Sequence, residues 1–553
     1  MTMAIVRSLC GQCAVGCGIR AVTDEERELR LEGDATHPAN GGLLCARVQA
    51  LHDSLSLEGR LLHPLVDGRR QGWDRTIAML ARRLAAVLTR HGPGSIALHV
   101  GGGLLTEDYY VANKLMKGFF GSAHIHAPWR GAIGPLQRAA FGEDVMATSY
   151  EDVSRAGTIL LLGGGAMREH PVLIDRVQAA RGDTGAALIL IAPAGEEQGL
   201  DPDLHLPVAA AGMAPLLRGL LLHCHDSGTV KQDFLARSVA VPKGFWEGLR
   251  PGHDIWSVAR ACGLSPAIIR DFYDQWAADD RSLSLFSGED GDVAGAMLNL
   301  HLATGRIGRV GAGPFALGRA ANGMGAREVG CMADSLAAHR GFDDEARASA
   351  TRFWGARALV EGPGLDGAAM LRAMRDGQIR ALISIGADPA ATQWLDEARS
   401  LVPLSIRATE RMDAMGEGWS VLLPSAAWIE KEGTVTGMDR LVSRQRRLFD
   451  LPGEARPHWW MLTRIAQAMG WGDAFHYERP ADIYREHVRL TAYRNDGARL
   501  LNLKRHAPIS NPAYAELTPW RWGELPFDEG RFPTADGRAR LLPMGDQPDA
   551  AMS

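Results

Sequence analysis

Four cysteines in the first forty-five residues constrain this chain more than any other feature. Cys10, Cys13 and Cys17 follow the spacing C-x2-C-x3-C, and Cys45 arrives after a long gap. Three thiolates packed so closely, with a fourth delivered from a separate loop, can supply the four corners of a cubane iron–sulfur cluster. Gly11, Gly16 and Gly18 stand beside them, where the backbone has to bend around a bulky inorganic core and aim N–H groups at sulfide. A structural zinc site is the competing expectation, although zinc more often takes two C-x2-C pairs or a Cys2His2 set. The spacing favours a 4Fe–4S cluster on Cys10, Cys13, Cys17 and Cys45.

A chain of 553 residues exceeds one compact core and predicts two to four structural units. With 46% hydrophobic and 23% charged residues it has ample core material and no signature of disorder. A net charge of −5 provides no basic excess for nucleic acid or an anionic membrane. The other cysteines, Cys224, Cys262 and Cys331, are isolated and read as core packing, and a reducing compartment suits them and the cluster alike. No apolar run is long enough to cross a bilayer, and neither a signal-peptide core nor a twin-arginine element precedes Cys10. The expectation is a cytoplasmic protein.

Beyond the cysteines the pattern alternates between helix and strand. Trp73 to Arg90 carries Ile77, Leu80, Ala81, Leu84, Val87 and Leu88 on one face, opened by Asp74 and closed by Gly92-Pro93. Short apolar runs predict strands at Ile96 to Val100, Thr158 to Leu162, Ala187 to Ala192, Ser282 to Phe286, Ala381 to Ile385 and Val421 to Leu423. Helices at Thr106 to Phe120 and from about His170 to Arg181 lie between them. This alternation predicts an α/β fold with mostly parallel sheets. At two strand-to-helix junctions, Gly163-Gly164-Gly165 ahead of His170-Pro171 and Gly386-Ala387-Asp388-Pro389, bare backbone N–H groups could cradle a pyrophosphate. Neither is a G-x-G-x-x-G, and a tight turn without ligand is the plainer reading of each.

Several long stretches resemble the molybdopterin-dependent oxidoreductases, and among them the catalytic subunit of bacterial assimilatory nitrate reductases. They are the cysteine motif with His37-Pro38-Ala39-Asn40, the run from Leu104 to Phe119, and the run from His301 to Arg309. Asn322-Gly323-Met324-Gly325 with Arg327 to Gly330, and Glu430 to Thr436, complete the set. The resemblance implies an iron–sulfur domain at 1–60, an α/β domain from 61–145 and 305–545, and a dinucleotide-binding-like α/β domain at 146–304. It also implies molybdenum held by two molybdopterin guanine dinucleotides, with Gly163, Gly164, Gly165, His170, Asn322, Gly325 and Asp388 as cofactor contacts. Arg47, two residues past the last cysteine, stands where the family has a relay lysine. Nitrate, reduced for assimilation, is the implied substrate. A ferredoxin, flavoprotein or reductase subunit is the implied redox partner.

Departures from the family pattern matter as much. The loop His124 to Pro135 has Ala132 or a neighbour where the family offers a cysteine to molybdenum, and no cysteine occurs between Cys45 and Cys224. His124 and His126 read as hydrogen-bonded groups more readily than as metal ligands. Where the family grips guanosine with an Asp, this chain has Met213, which cannot act as a carboxylate. The family continues after Phe532 to Arg540 into a barrel-like domain closing over the pterins; on this expectation a separate chain supplies it, the pterin sites stay open, or the protein no longer holds molybdenum. Two readings follow: an oxyanion reductase, or a molybdenum-free electron-transfer or scaffold subunit that keeps the fold and the cluster.

Overall fold

The computed structural model describes residues 4–23, 29–197, 199–357, 359–386, 389–412 and 418–543. Its N-terminal unit is an antiparallel sheet of Ala4–Leu9, Gly18–Thr23 and Leu29–Gly33 in sequence order. The first hairpin is closed across the cysteine loop by the Cys10 N–H donating to the Cys17 carbonyl at 2.8 Å.

Two larger sheets form the α/β layers. One has five strands, all parallel, in the order Leu204–Pro207, Ala187–Ala192, Thr158–Leu162, Ser282–Ser287, Gly313–Leu317. Of its central strands, Thr158–Leu162 is buried end to end and Ser282–Ser287 at all but its last residue, as a sheet covered on both faces requires. Its edge strand Gly313–Leu317 lies past residue 304, so this sheet straddles that position in the chain. The other sheet has seven strands, in which Val421–Pro424, Leu404–Thr409, Ala381–Ile385, Ile96–Val100 and Ile125–His126 run parallel. Leu65–Val66 and Arg69–Arg70 extend it antiparallel. A three-stranded antiparallel sheet of Gly433–Thr436, Leu441–Gln445 and Trp520–Arg521 lies against the N-terminal unit: the Gln445 carboxamide oxygen accepts from the Ser8 hydroxyl at 3.0 Å and from the Leu9 N–H at 3.2 Å. Late in the chain, Ala539–Arg540 pairs with Val239–Ala240.

The helices follow the apolar spacing. Trp73–His91 buries Trp73, Thr76, Ile77, Leu80, Ala81 and Leu84 and ends at Gly92, whose φ of 77° only glycine adopts freely. The segment expected as one helix from Thr106 to Phe120 is α-helical through Lys114 and then widens into π-type turns over Leu115–Phe120. It is buried nearly all round, and its charges are matched individually. Lys114 Nζ donates to Glu486 Oε1 at 2.7 Å, and Lys117 Nζ donates to the carbonyls of Gly330, Met332 and Ser335. No helix among the described residues is long and apolar enough to cross a membrane.

Candidate functional site

The cysteine loop is held rigid from several sides. Gly16 has a φ of +69° and donates its N–H to the Cys13 carbonyl. At Gly11 a Cβ would come within 2.5 Å of the Trp428 ring, and at Gly18 within 2.4 Å of His37, so both glycines are required by close approach. The indole N–H of Trp428 donates to the Leu9 carbonyl at 2.9 Å, and the Tyr150 hydroxyl to the Val15 carbonyl at 3.2 Å. Asn40 ties the loop that brings Cys45: its Oδ1 accepts from Gly18 N, while its Nδ2 donates to the carbonyls of Gly18 and Leu43.

The four sulfurs converge. Burial pushes the Cys10 thiol up to about 12, with the charges of Cys13 and Cys45 adding to the rise. Cys17 is raised first by burial and then by Cys13, Cys10 and Cys45. A cationic core would offset the cost of burying thiolates here, and a 4Fe–4S unit provides one that takes a thiolate at each corner. Among the described residues no three His, Cys, Asp or Glu side chains are gathered onto a single-ion position.

Arg47 is exposed and leads away from the cysteines. Its guanidinium donates to the carbonyls of Glu169 at 2.8 Å and Arg168 at 3.3 Å, and its charge acts on Cys13. Glu169 borders a cavity of about 320 Å³ at the C-terminal ends of the five-stranded sheet, with Gly163, Gly165, His170, Met213 and Arg319 in its wall. The place is dictated by topology. Thr158–Leu162 connects to strands on one side and Ser282–Ser287 to strands on the other, and α/β sheets open their crevice where the strand order reverses.

The glycine turn is shaped for close packing. Gly163 has a φ of 79°, and a Cβ on Gly164 would meet the Glu196 carbonyl oxygen at 2.3 Å. The helix Pro171–Thr184 opens at His170 as the sequence predicts, and a short helix, Gly164–Arg168, lies between it and the strand. The expectation of bare N–H groups changes, because the Gly165 N–H donates to Glu196 Oε2 at 3.0 Å. His170 Nε2 faces the Gly318 carbonyl at 2.8 Å, so this side chain links the turn to the edge strand.

Between the sheets lies a nearly filled cavity of about 30 Å³, lined by Trp129, Ile133, Met146, Met324 and Met438 with Arg130 and Arg327. Ala132 and Ile133 both donate their N–H to the Gly288 carbonyl, at 2.8 and 3.0 Å. The Ala132 methyl faces Gly291 and is not part of this wall. His126 pairs with Asp366 at 2.5 Å and stacks on Trp394 at 3.9 Å, while His124 Nδ1 accepts from Leu365 N. Both histidines are thus engaged in packing.

Asn322 and Gly325 lie outside the walls of both cavities. Asn322 is fully buried, donates to the Leu104 carbonyl and the Thr106 hydroxyl, and accepts from Thr436 N at 2.8 Å. A Cβ on Gly325 would meet Asn322 Oδ1 at 2.2 Å. Together they knot three segments of the core. Asp388 lies outside the described residues. Sequence reading missed a charge ladder beside the small cavity: Arg327–Asp144 at 2.9 Å, Arg138–Asp334 at 2.6 Å and Arg130–Asp334 at 3.1 Å. Its members are far apart in the chain, and no local pattern announces them.

An N-terminal unit that gathers four thiols, set on two parallel α/β layers with cavities at and between their strand ends, defines a cofactor-dependent redox architecture. The family described as molybdopterin oxidoreductase matches residues 60–468, and its Fe4S4 domain matches residues 3–56. The chain belongs to the molybdopterin oxidoreductase family. It is 37% identical to a nitrate reductase of Klebsiella oxytoca over 99% of this chain and 65% of that protein. It is 32% identical to a nitrate reductase of Shewanella frigidimarina (strain NCIMB 400) over 98% of this chain and 61% of that protein. The chain therefore spans somewhat less than two thirds of these relatives. Among solved structures, acetylene hydratase from Pelobacter acetylenicus shares the fold with a TM-score of 0.77 and 16% identity, covering 97% of this chain and 77% of that one. Family membership supports a 4Fe–4S cluster and a molybdenum–pterin cofactor.

Proposed function

We propose that the chain is a nitrate-reductase-like oxidoreductase in which Cys10, Cys13, Cys17 and Cys45 hold the cluster and Arg47 links it to the cofactor cavity. The observation that carries this reading is the position of Arg47, whose charge acts on Cys13 and whose guanidinium grips the rim of the 320 Å³ cavity. A molybdenum–pterin would supply an acceptor for the oxygen atom taken from an oxyanion such as nitrate, the oxygen leaving as water with two protons and two electrons that the cluster would feed singly. On this reading the protein is cytoplasmic, serves nitrate assimilation, and takes electrons from a ferredoxin, flavoprotein or reductase subunit. We also take residues 1–60, 146–304, and 61–145 with 305–545 as its functional units.

The guanine dinucleotide form of the cofactor fits the observed side chains poorly, because the glycine turn is capped by Glu196 and the wall carries Met213. The small inter-sheet cavity, nearly filled by Trp129, Ile133 and three methionines beside its arginines, favours a second reading, a molybdenum-free electron-transfer or scaffold subunit. The two separate on one experiment with anaerobically purified chain: molybdenum is quantified, and nitrate is added to protein reduced by viologen. Bound molybdenum with nitrite formation supports the reductase; a reduced cluster that nitrate does not reoxidise, without molybdenum, supports the scaffold.

A further inference from the structure

The cavity on the five-stranded sheet presents a dinucleotide with the wrong charge. Glu169, Glu196, Glu289 and Asp290 line it, against Arg319 and His170. Arg319 is committed to two of these acids, Glu289 at 3.1 Å and Glu169 at 3.8 Å. Asp290 caps the helix Gly291–Ala303 by accepting from Asp292 N and Val293 N. Glu196 does something different. Its Oε2 takes the Gly165 N–H at 3.0 Å, and its own backbone sits against Gly164, where a Cβ would lie 2.3 Å from the Glu196 carbonyl oxygen. The turn that offers a phosphate its backbone donor is thus already answered by a carboxylate fixed in the same chain.

We propose that Glu196 is an internal anion that sets this cavity against diphosphates, so that a nucleoside diphosphate moiety enters only when Glu196 swings away from Gly165. The proposal rests on the reading that this cavity receives the nucleotide end of the cofactor. Two effects act together. The ligand has to displace the Gly165–Glu196 hydrogen bond, and its phosphates then lie among carboxylates. A neutral nucleoside meets neither obstacle.

The test is calorimetric titration of the full chain with guanosine diphosphate and with guanosine, using wild type, Glu196→Gln, Glu196→Ala and Glu197→Gln. Gln keeps the size of Glu196 and an acceptor for Gly165, so it isolates the charge; near-UV circular dichroism checks each fold. Guanosine diphosphate should bind Glu196→Gln about tenfold tighter than wild type or more. Glu196→Ala should bind at least as tightly as Glu196→Gln, with guanosine unchanged throughout and Glu197→Gln like wild type. Equal diphosphate affinity in wild type and both Glu196 variants overturns the role of Glu196 and leaves the cavity as a nucleotide site. An equal gain in Glu197→Gln overturns it in favour of general acidity. Binding of neither probe by any variant overturns both the role and the reading on which it rests.

Discussion

Arg47 illustrates how a single side chain carries a testable consequence. Its positive charge near Cys13 stabilises the more negative, reduced state of a cluster, so Arg47→Ala should lower the cluster's reduction potential while Arg47→Lys retains most of it. Redox titration followed by electron paramagnetic resonance reads the shift, and an unchanged potential in Arg47→Ala would mean that the side chain has no part in the relay. Asn322 makes a different prediction, because all its polar atoms are spent inside the core. Asn322→Leu should cost about 2–4 kcal/mol by leaving buried partners unpaired, seen in urea unfolding. Wild-type stability in that variant would contradict the knot. The four cysteines, their glycines and Arg47 stand out in the sequence because the cluster chemistry proposed for them needs fixed spacing. Asn322 and Gly325 come as cofactor contacts from the family resemblance alone, and their ties to Leu104, Thr106 and Thr436 join segments that no local pattern in the sequence brings together. Glu196 left no trace, since its meeting with Gly165 depends on the path of two separate loops.

Among the elements, the buried helix that begins at Thr106 sets a pH dependence. Glu107 accepts from Thr434 N, Thr434 Oγ1 and Tyr514 Oη, yet burial dominates and raises its carboxyl to about 7. A carboxyl whose folded value lies above its unfolded one holds its proton more tightly when folded. Its ionisation therefore opposes folding increasingly from about pH 4.5 to about 7 and levels off above that, by roughly 3 kcal/mol in full. Wild type should lose thermal stability between pH 5 and pH 8 by more than Glu107→Gln does, as calorimetry can measure; parallel profiles would contradict this. Strand and helix positions were largely readable, since apolar runs and i, i+3, i+4 spacing report burial directly. The π-type turns over Leu115–Phe120 were not, because they arise where Lys117 reaches the carbonyls of Gly330, Met332 and Ser335, a contact across more than two hundred residues.

For the molecule as a whole, the strand orders explain why cavities form where they do, and the side chains decide what enters them. The alternating pattern of the sequence already implied parallel layers; the order of strands, the tie of Ala132 and Ile133 to Gly288 and the charge ladder needed the fold. Because the Ala132 methyl faces Gly291 and the inter-sheet cavity is only about 30 Å³, Ala132→Cys should leave molybdenum content unchanged by elemental analysis. A gain would place that residue at the metal after all. The claim on which everything else stands is the cluster. Elemental analysis of anaerobically purified protein, joined to electron paramagnetic resonance after reduction, tests it most directly. The account predicts about four irons per chain, a paramagnetic reduced cluster, and loss of both in Cys13→Ala. One zinc per chain and no iron would contradict it.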